Sequence, residues 1–198
     1  MDSKEAAAEI VQFLQQGADL RIKIARDSSQ LIVKAAKRIS ECLQSGGKLL
    51  LFGNGGSAAN AQHLAAEFVG RFMIERQALA AIALTTDSSI LTAVGNDYGF
   101  EQVFARQIAA LGQPNDLAFG ISTSGTSPNV IAGIKEATRK NLTTIALVGD
   151  SGSLLGQCAD IAIGVDSTST AQIQEGHVAI GHLICHLVEK DFSAGKAG

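Results

Sequence analysis

Five short apolar runs recur along this chain: Leu49–Phe52, Leu79–Leu84, Leu117–Ile121, Thr144–Val148 and Ile161–Val165. None alternates apolar with polar residues, which is how strands buried on both faces read. Segments of helical character lie between them, at Ala58–Arg71, Ser88–Val94 with Glu101–Leu111, Asn129–Arg139 and Leu154–Cys158. This alternation predicts an α/β fold, a parallel sheet with helices on both sides. Ahead of it, Ile10, Phe13, Leu14, Leu20, Ile24, Leu31, Ala35 and Ile39 follow a 3.6-residue period from about Ser3 to Gln44. Gly17 is a candidate break dividing that stretch into two helices. A last helix is expected from about Ala171 to Phe192, followed by a frayed tail from Ser193 to Gly198.

The 198 residues suit one domain spanning 1–198, with 1–45 as a helical segment used in packing or oligomerisation. Hydrophobic residues at 46% argue against disorder, and a net charge of -3 argues against a nucleic-acid or anionic-membrane surface. No apolar stretch approaches the ~18 residues of a membrane span, and the N-terminus MDSKEAAAEI is too polar for a signal peptide. Cys42, Cys158 and Cys185 lack metal or CxxC spacing and read as small hydrophobes in a reducing cytoplasm.

In a parallel sheet of this kind, ligands bind beyond the carboxyl ends of the strands. Two loops fall there. Ser122-Thr123-Ser124-Gly125-Thr126-Ser127 follows the third apolar run, and five of its six residues carry a hydroxyl. With backbone N–H groups and a helix start at Pro128, that composition suits a phosphate group. Ser127 could cap the helix, but a cap needs one hydroxyl, not five. The other loop, Gly53-Asn54-Gly55-Gly56-Ser57-Ala58, satisfies the G-x-G-x-x-A dinucleotide pattern. A nucleotide reading also wants an acid closing the second strand, and Leu84-Thr85-Thr86 supplies none before Asp87. The loop is better read as a tight turn that lets a substrate approach, with Ser57 as an N-cap. No G-K-[ST] follows, so a Walker site is excluded too.

His63 and Glu67 stand at i and i+4 on the helix this loop opens, so both can face one ligand or metal ion, or simply form a surface pair. Apolar neighbours Leu64, Ala65, Ala66 and Phe68 predict a buried Glu67, with the raised pKa that suits a proton-transfer base. The last helix carries Gln172, Gln174, Glu175, His177, His182 and His186 among apolar residues. Gln174 lies about 80° round and ~12 Å along the axis from His182, so one metal ion is hard to reach from both within a single chain. Gly95-Asn96-Asp97-Tyr98-Gly99 reads as a turn between helices, with Asp97 as a cap.

The segments LLLFGNGGSAANAQHLAAEFVGRF, AIALTTDSSILTAVGNDYGFEQVFARQI, GISTSGTSPNVI and IQEGHVAIGHLICHLVEK together resemble the sugar-isomerase (SIS) domain family, and within it the phosphoheptose isomerases. The resemblance runs from the N-terminal helices to Glu189, and the joint spacing of GNGGS, H-x-x-x-E, VGNDYG, STSG-x-S and IQEGH is what makes it specific. It implies a five-stranded parallel sheet flanked by helices, a Rossmann-like or flavodoxin-like sandwich. It implies a cytoplasmic homotetramer with sites at subunit interfaces. The implied activity interconverts D-sedoheptulose 7-phosphate and D-glycero-D-manno-heptopyranose 7-phosphate, the first step toward the ADP-heptose of lipopolysaccharide core. Carried over by motif, Ser122, Thr123, Ser124 and Ser127 would hold the phosphate. Asn54, Gly55, Ser57, Asp97 and Gln174 would contact the sugar, and Glu67 and His182 would form the catalytic pair. His63, Glu67, Gln174 and His182 match positions that bind zinc in close relatives. An acid found in some members two positions before the Ile of IQE is Ala171 here. The alternative is a non-catalytic SIS-domain protein that binds the replication initiator. Such proteins lack the catalytic pair that this chain keeps.

Overall fold

The computed structural model describes residues 2–193. It begins with a 42-residue helix, α1 (Ser3–Gln44), capped by the Asp2 side chain on the Lys4 N–H. Gly17 does not divide it. One glycine costs a helix about 1 kcal/mol, and at this level α7 meets α1 through polar side chains, Gln172 donating to the Phe13 carbonyl. Strands β1 (Leu49–Gly53), β2 (Ala81–Ala83), β3 (Leu117–Ser122), β4 (Thr143–Val148) and β5 (Ile161–Gly164) then alternate with helices α2 (Gly56–Val69), α3 (Ser88–Tyr98), α4 (Val103–Leu111), α5 (Pro128–Arg139) and α6 (Leu154–Cys158). A single 3-10 turn, Phe100–Gln102, joins α3 to α4, and α7 (Thr170–Ser193) closes the chain. The tail expected to fray lies outside the described residues beyond Ser193.

All five strands are parallel, in the order β2-β1-β3-β4-β5. That is the flavodoxin-like order, and the winding reverses between β1 and β3. The strands lack alternation because each face has its own core. Leu49, Leu51, Leu117, Phe119, Ile121, Ile145, Leu147, Ile161 and Ile163 pack under α1, α2 and α7. Leu50, Phe52, Ala118, Ala146 and Val148 pack under α4, α5 and α6. The edge strand β2 is shorter than expected and leaves Ile82 40% exposed, because α3 buries no residue against it. The stretch expected as a turn at Gly95–Gly99 is helical through Tyr98, so α3 is a turn longer than its sequence pattern suggested.

Candidate active site

The loops Gly53–Ser57 and Ser122–Ser127 end adjacent strands, with Gly53 in register with Ile121, so they face each other where the sheet reverses its winding. Ser122, buried at the end of β3, is the hub of the hydroxyl run. Its Oγ lies 2.9 Å from Ser127 Oγ and 3.3 Å from Ser124 Oγ, and it accepts the Gly125 N–H at 3.2 Å. The Thr126 N–H and hydroxyl both donate to Ser124 Oγ. The Thr123 carbonyl accepts the Gly149 N–H, which ties the loop to the end of β4. Gly125 sits at φ 64, where a side chain is strained, and a Cβ there would strike Ser153. The loop is thus preformed at the N-terminus of the twelve-residue α5, with Ser124 and Thr126 turned to solvent. Ser127 occupies the N-cap position but makes no side-chain cap; its hydroxyl serves the loop instead. That geometry offers hydroxyl donors, turn amides and a positive helix end to one anion.

Asn54 of the facing loop exchanges two amide hydrogen bonds, both 2.8 Å, with the buried Asn129 of α5. The pair clips the two loops together. Asn129 was not singled out from sequence; its position next to the hydroxyl run was the available signal. A recess of about 310 Å³ lies here, lined by Asn54, Phe100, Glu101, Ser127, Pro128 and Asn129. Ser57 is not an N-cap. Gly55 holds that position, and Ser57 is buried inside the first turn of α2. Asp97 does not cap either. It lies exposed in the last turn of α3, accepts a hydrogen bond from Asn96, and is not part of the recess wall.

Two turns along α2, a second group assembles. His63 Nε2 is 2.8 Å from His182 Nε2 of α7 and 3.6 Å from Glu67 Oε1. Donor atoms of His63, Glu67 and His182 all lie within 4.8 Å of one another. The expected burial of Glu67 is corrected: its side chain is 21% exposed and that of His63 44%, because α2 turns its Ala61, Leu64, Ala65 and Phe68 face to the core. Two imidazoles and a carboxylate converging this closely fit a divalent metal, and three protein donors with an open position is a catalytic zinc pattern. Phe72 packs its ring 5.3 Å from that of His182. Beside them a groove of about 780 Å³ runs along α7, lined by residues that include Arg21, Met73, Glu175 and His186.

Gln174 does not join this group within one chain. Its amide packs on Gly56 so closely that a Cβ at Gly56 would collide with it. From there to His182 is eight residues of helix, ~12 Å of rise.

The model of the SIS domain matches residues 12–149. The chain belongs to the SIS domain family. Among SIS-domain proteins it is 52% identical over 187 residues to the phosphoheptose isomerase of Maridesulfovibrio salexigens, covering 94% of this chain and 91% of that one. The solved phosphoheptose isomerase of Francisella tularensis superposes with a TM-score of 0.89 at 39% identity, covering 93% of this chain and 98% of that one. That of Neisseria gonorrhoeae gives 0.88, again at 39% identity, covering 93% and 99%. The SIS model stops at Gly149, before α7, but these longer matches span nearly the whole chain. This SIS-domain protein is therefore an enzyme, an isomerase.

Proposed function

We propose that this isomerase interconverts D-sedoheptulose 7-phosphate and D-glycero-D-manno-heptopyranose 7-phosphate, supplying the ADP-heptose used in lipopolysaccharide core. The observation that carries the reading is the convergence of Glu67 and His182 about two turns along α2 from the Gly53–Ser57 loop, which ends the strand next to the one that leads into the hydroxyl run. A phosphate held by Ser122, Thr123, Ser124 and Ser127 is a handle at one end of the sugar. About 9 Å of α2 separates Ser57 from His63, so the reacting carbons lie at the other end. Asn54, Gly55, Ser57 and Asp97 serve the hydroxyls between.

Conversion of the 2-ketose moves one proton from C1 to C2 and one from O1 to O2. Glu67 removes the C1 proton, leaving an enediolate, and returns it to C2. His182 gives a proton to O2 and takes one from O1. Such positioned acid–base groups contribute roughly 10²–10⁴-fold each. His63, Glu67, Gln174 and His182 are the residues that would hold Zn²⁺, which when bound stabilises negative charge on the enediolate oxygens. Because Gln174 and His182 are far apart on α7, the full set requires a neighbouring protomer. We infer a cytoplasmic homotetramer with sites at its interfaces. Its support is α1, where residues 3–19 bury no side chain and Ile10, Val11 and Leu14 are more than 60% exposed. Apolar surface of that extent on a free helix calls for a partner. The intact pair of Glu67 and His182 argues against a role confined to binding a replication initiator.

Incubation with sedoheptulose 7-phosphate, followed by NMR detection of the aldoheptose phosphate, tests the substrate. Conversion is expected, lost on chelation and restored by Zn²⁺. No conversion by the metal-replete protein would overturn the assignment.

A further inference from the structure

Behind the His63–Glu67–His182 group lies a buried ion pair that its chemistry does not use. Arg76 and Glu189 have side chains only 2% and 1% exposed, with Arg76 Nε 3.6 Å from Glu189 Oε1. Arg76 is the one buried residue between Phe68 and Leu79. A charged side chain is not placed there without cost; desolvating each ion takes several kcal/mol, to be offset by its hydrogen bonds. What those bonds hold is therefore informative.

The Arg76 guanidinium closes the end of α2. Nη2 donates to the Glu67 carbonyl at 2.7 Å, and Nη1 donates to Phe68 at 2.7 Å, Gly70 at 3.0 Å and Gln77 at 2.8 Å. The last carbonyls of a helix lack intrahelical donors, and a cation there also complements the helix dipole. Glu189 holds the segment that follows. Its carboxylate accepts the N–H groups of Phe72, Met73 and Ile74 at 2.9, 2.8 and 2.9 Å. Burial pushes this carboxyl up, and the three N–H donors with Arg76 more than offset that, holding it below its usual range.

These contacts converge on the reacting groups from two directions. Arg76 grips Glu67 by its own backbone. Glu189 lies seven residues past His182, on the same face of α7, and fixes the backbone of Phe72, whose ring packs on His182. One buried pair thus links the end of α2, which presents Glu67, to the helix that presents His182.

We propose that Arg76 and Glu189 are positioning residues for the isomerisation, a clamp that sets the separation between the α2 donors His63 and Glu67 and His182 of α7. The proposal rests on the assignment of Glu67 and His182 as the proton-transfer pair. A misplacement of about 1 Å costs on the order of 10²-fold in rate, whereas the phosphate loop stands on β3 and α5 and is untouched by the clamp.

The test uses Glu189→Gln, which keeps shape and loses charge, and Arg76→Lys, which keeps charge and loses the fork. Both are assayed on sedoheptulose 7-phosphate after circular dichroism and thermal melting establish that they fold. The expected result is a kcat at least about tenfold lower with KM within about threefold of the parent. A folded pair of variants with kcat within twofold of the parent overturns the clamp. So does failure of both to fold, which would make the pair a stability element. If the parent itself does not convert the heptose phosphate, the substrate reading fails. The clamp is then decided by a crystal structure of Glu189→Gln. A His63–His182 separation clearly wider than in the parent supports it, and an unchanged separation overturns it.

Discussion

Replacing Glu67 by Gln keeps the side chain's size and removes its basicity, so it separates chemistry from binding. The expected outcome is a kcat lower by roughly 10²–10⁴-fold, with sugar-phosphate affinity by calorimetry within a few-fold of the parent. Normal turnover would remove Glu67 from the role of base. Gly125→Ala acts at the other end of the site. A left-handed φ costs a non-glycine residue about 1–2 kcal/mol, and the added methyl strikes Ser153. Urea unfolding should show a loss of at least that size, and KM for the sugar phosphate should rise while kcat changes little. At this scale the sequence showed the residues whose type and spacing announce chemistry: the hydroxyl run, His63 with Glu67, and His182. It did not show Asn129, Arg76 or Glu189. Asn129 is clipped to Asn54, 75 residues away, and Glu189 to backbone 115–117 residues away. Contacts that distant leave no local pattern. Ser57 and Asp97 have the residue types that favour caps, but Gly55 holds the N-cap position of α2 and Asp97 lies in the last turn of α3.

Among the elements, α7 ties His182 to the end of β4. His177, 1% exposed, donates from Nε2 to the Val148 carbonyl at the end of β4 at 3.1 Å, and its buried Nδ1 has no partner. Protonation would place a second N–H where nothing accepts it. Burial accordingly pushes the His177 pKa down to about 4, partly opposed by the bond to Val148. With the folded pKa below the unfolded value near 6.5, the contribution to stability is full above pH ~6.5 and is lost as pH falls through about 4. Its size is on the order of 3 kcal/mol. Urea midpoints measured from pH 7.5 to 4 should fall in the parent, and fall less steeply in His177→Asn, which cannot charge. Equal slopes would refute the assignment. Strand positions were legible because both faces of the sheet are covered, giving unbroken apolar runs. Helix ends were less so. Gly17 and the Gly95–Tyr98 stretch contain weak helix formers by type, yet both helices run through them, to Gln44 and Tyr98.

For the whole molecule, the proposed tetramer makes assembly a condition of activity. Phe13→Asp combined with Leu14→Asp places charge on the uncovered arm of α1, where the two side chains are 38% and 65% exposed in the single chain. The variant is expected to elute as a smaller species on gel filtration with light scattering, and to lose most of its turnover. A fully active monomer would overturn the shared site. The sequence by itself determined the α/β class, the five strands, and which residue types could hold a phosphate and move a proton. Those properties follow from local periodicity and side-chain chemistry. Only the tertiary structure decided that β1 and β3 are neighbours, which sets the two loops face to face. It also decided that α2 and α7 bring His63 and Glu67 against His182 while Gln174 stays two turns away. Strand order and helix docking are fixed by burying two apolar faces at once, and that is a property of the assembled layers, not of any segment within them.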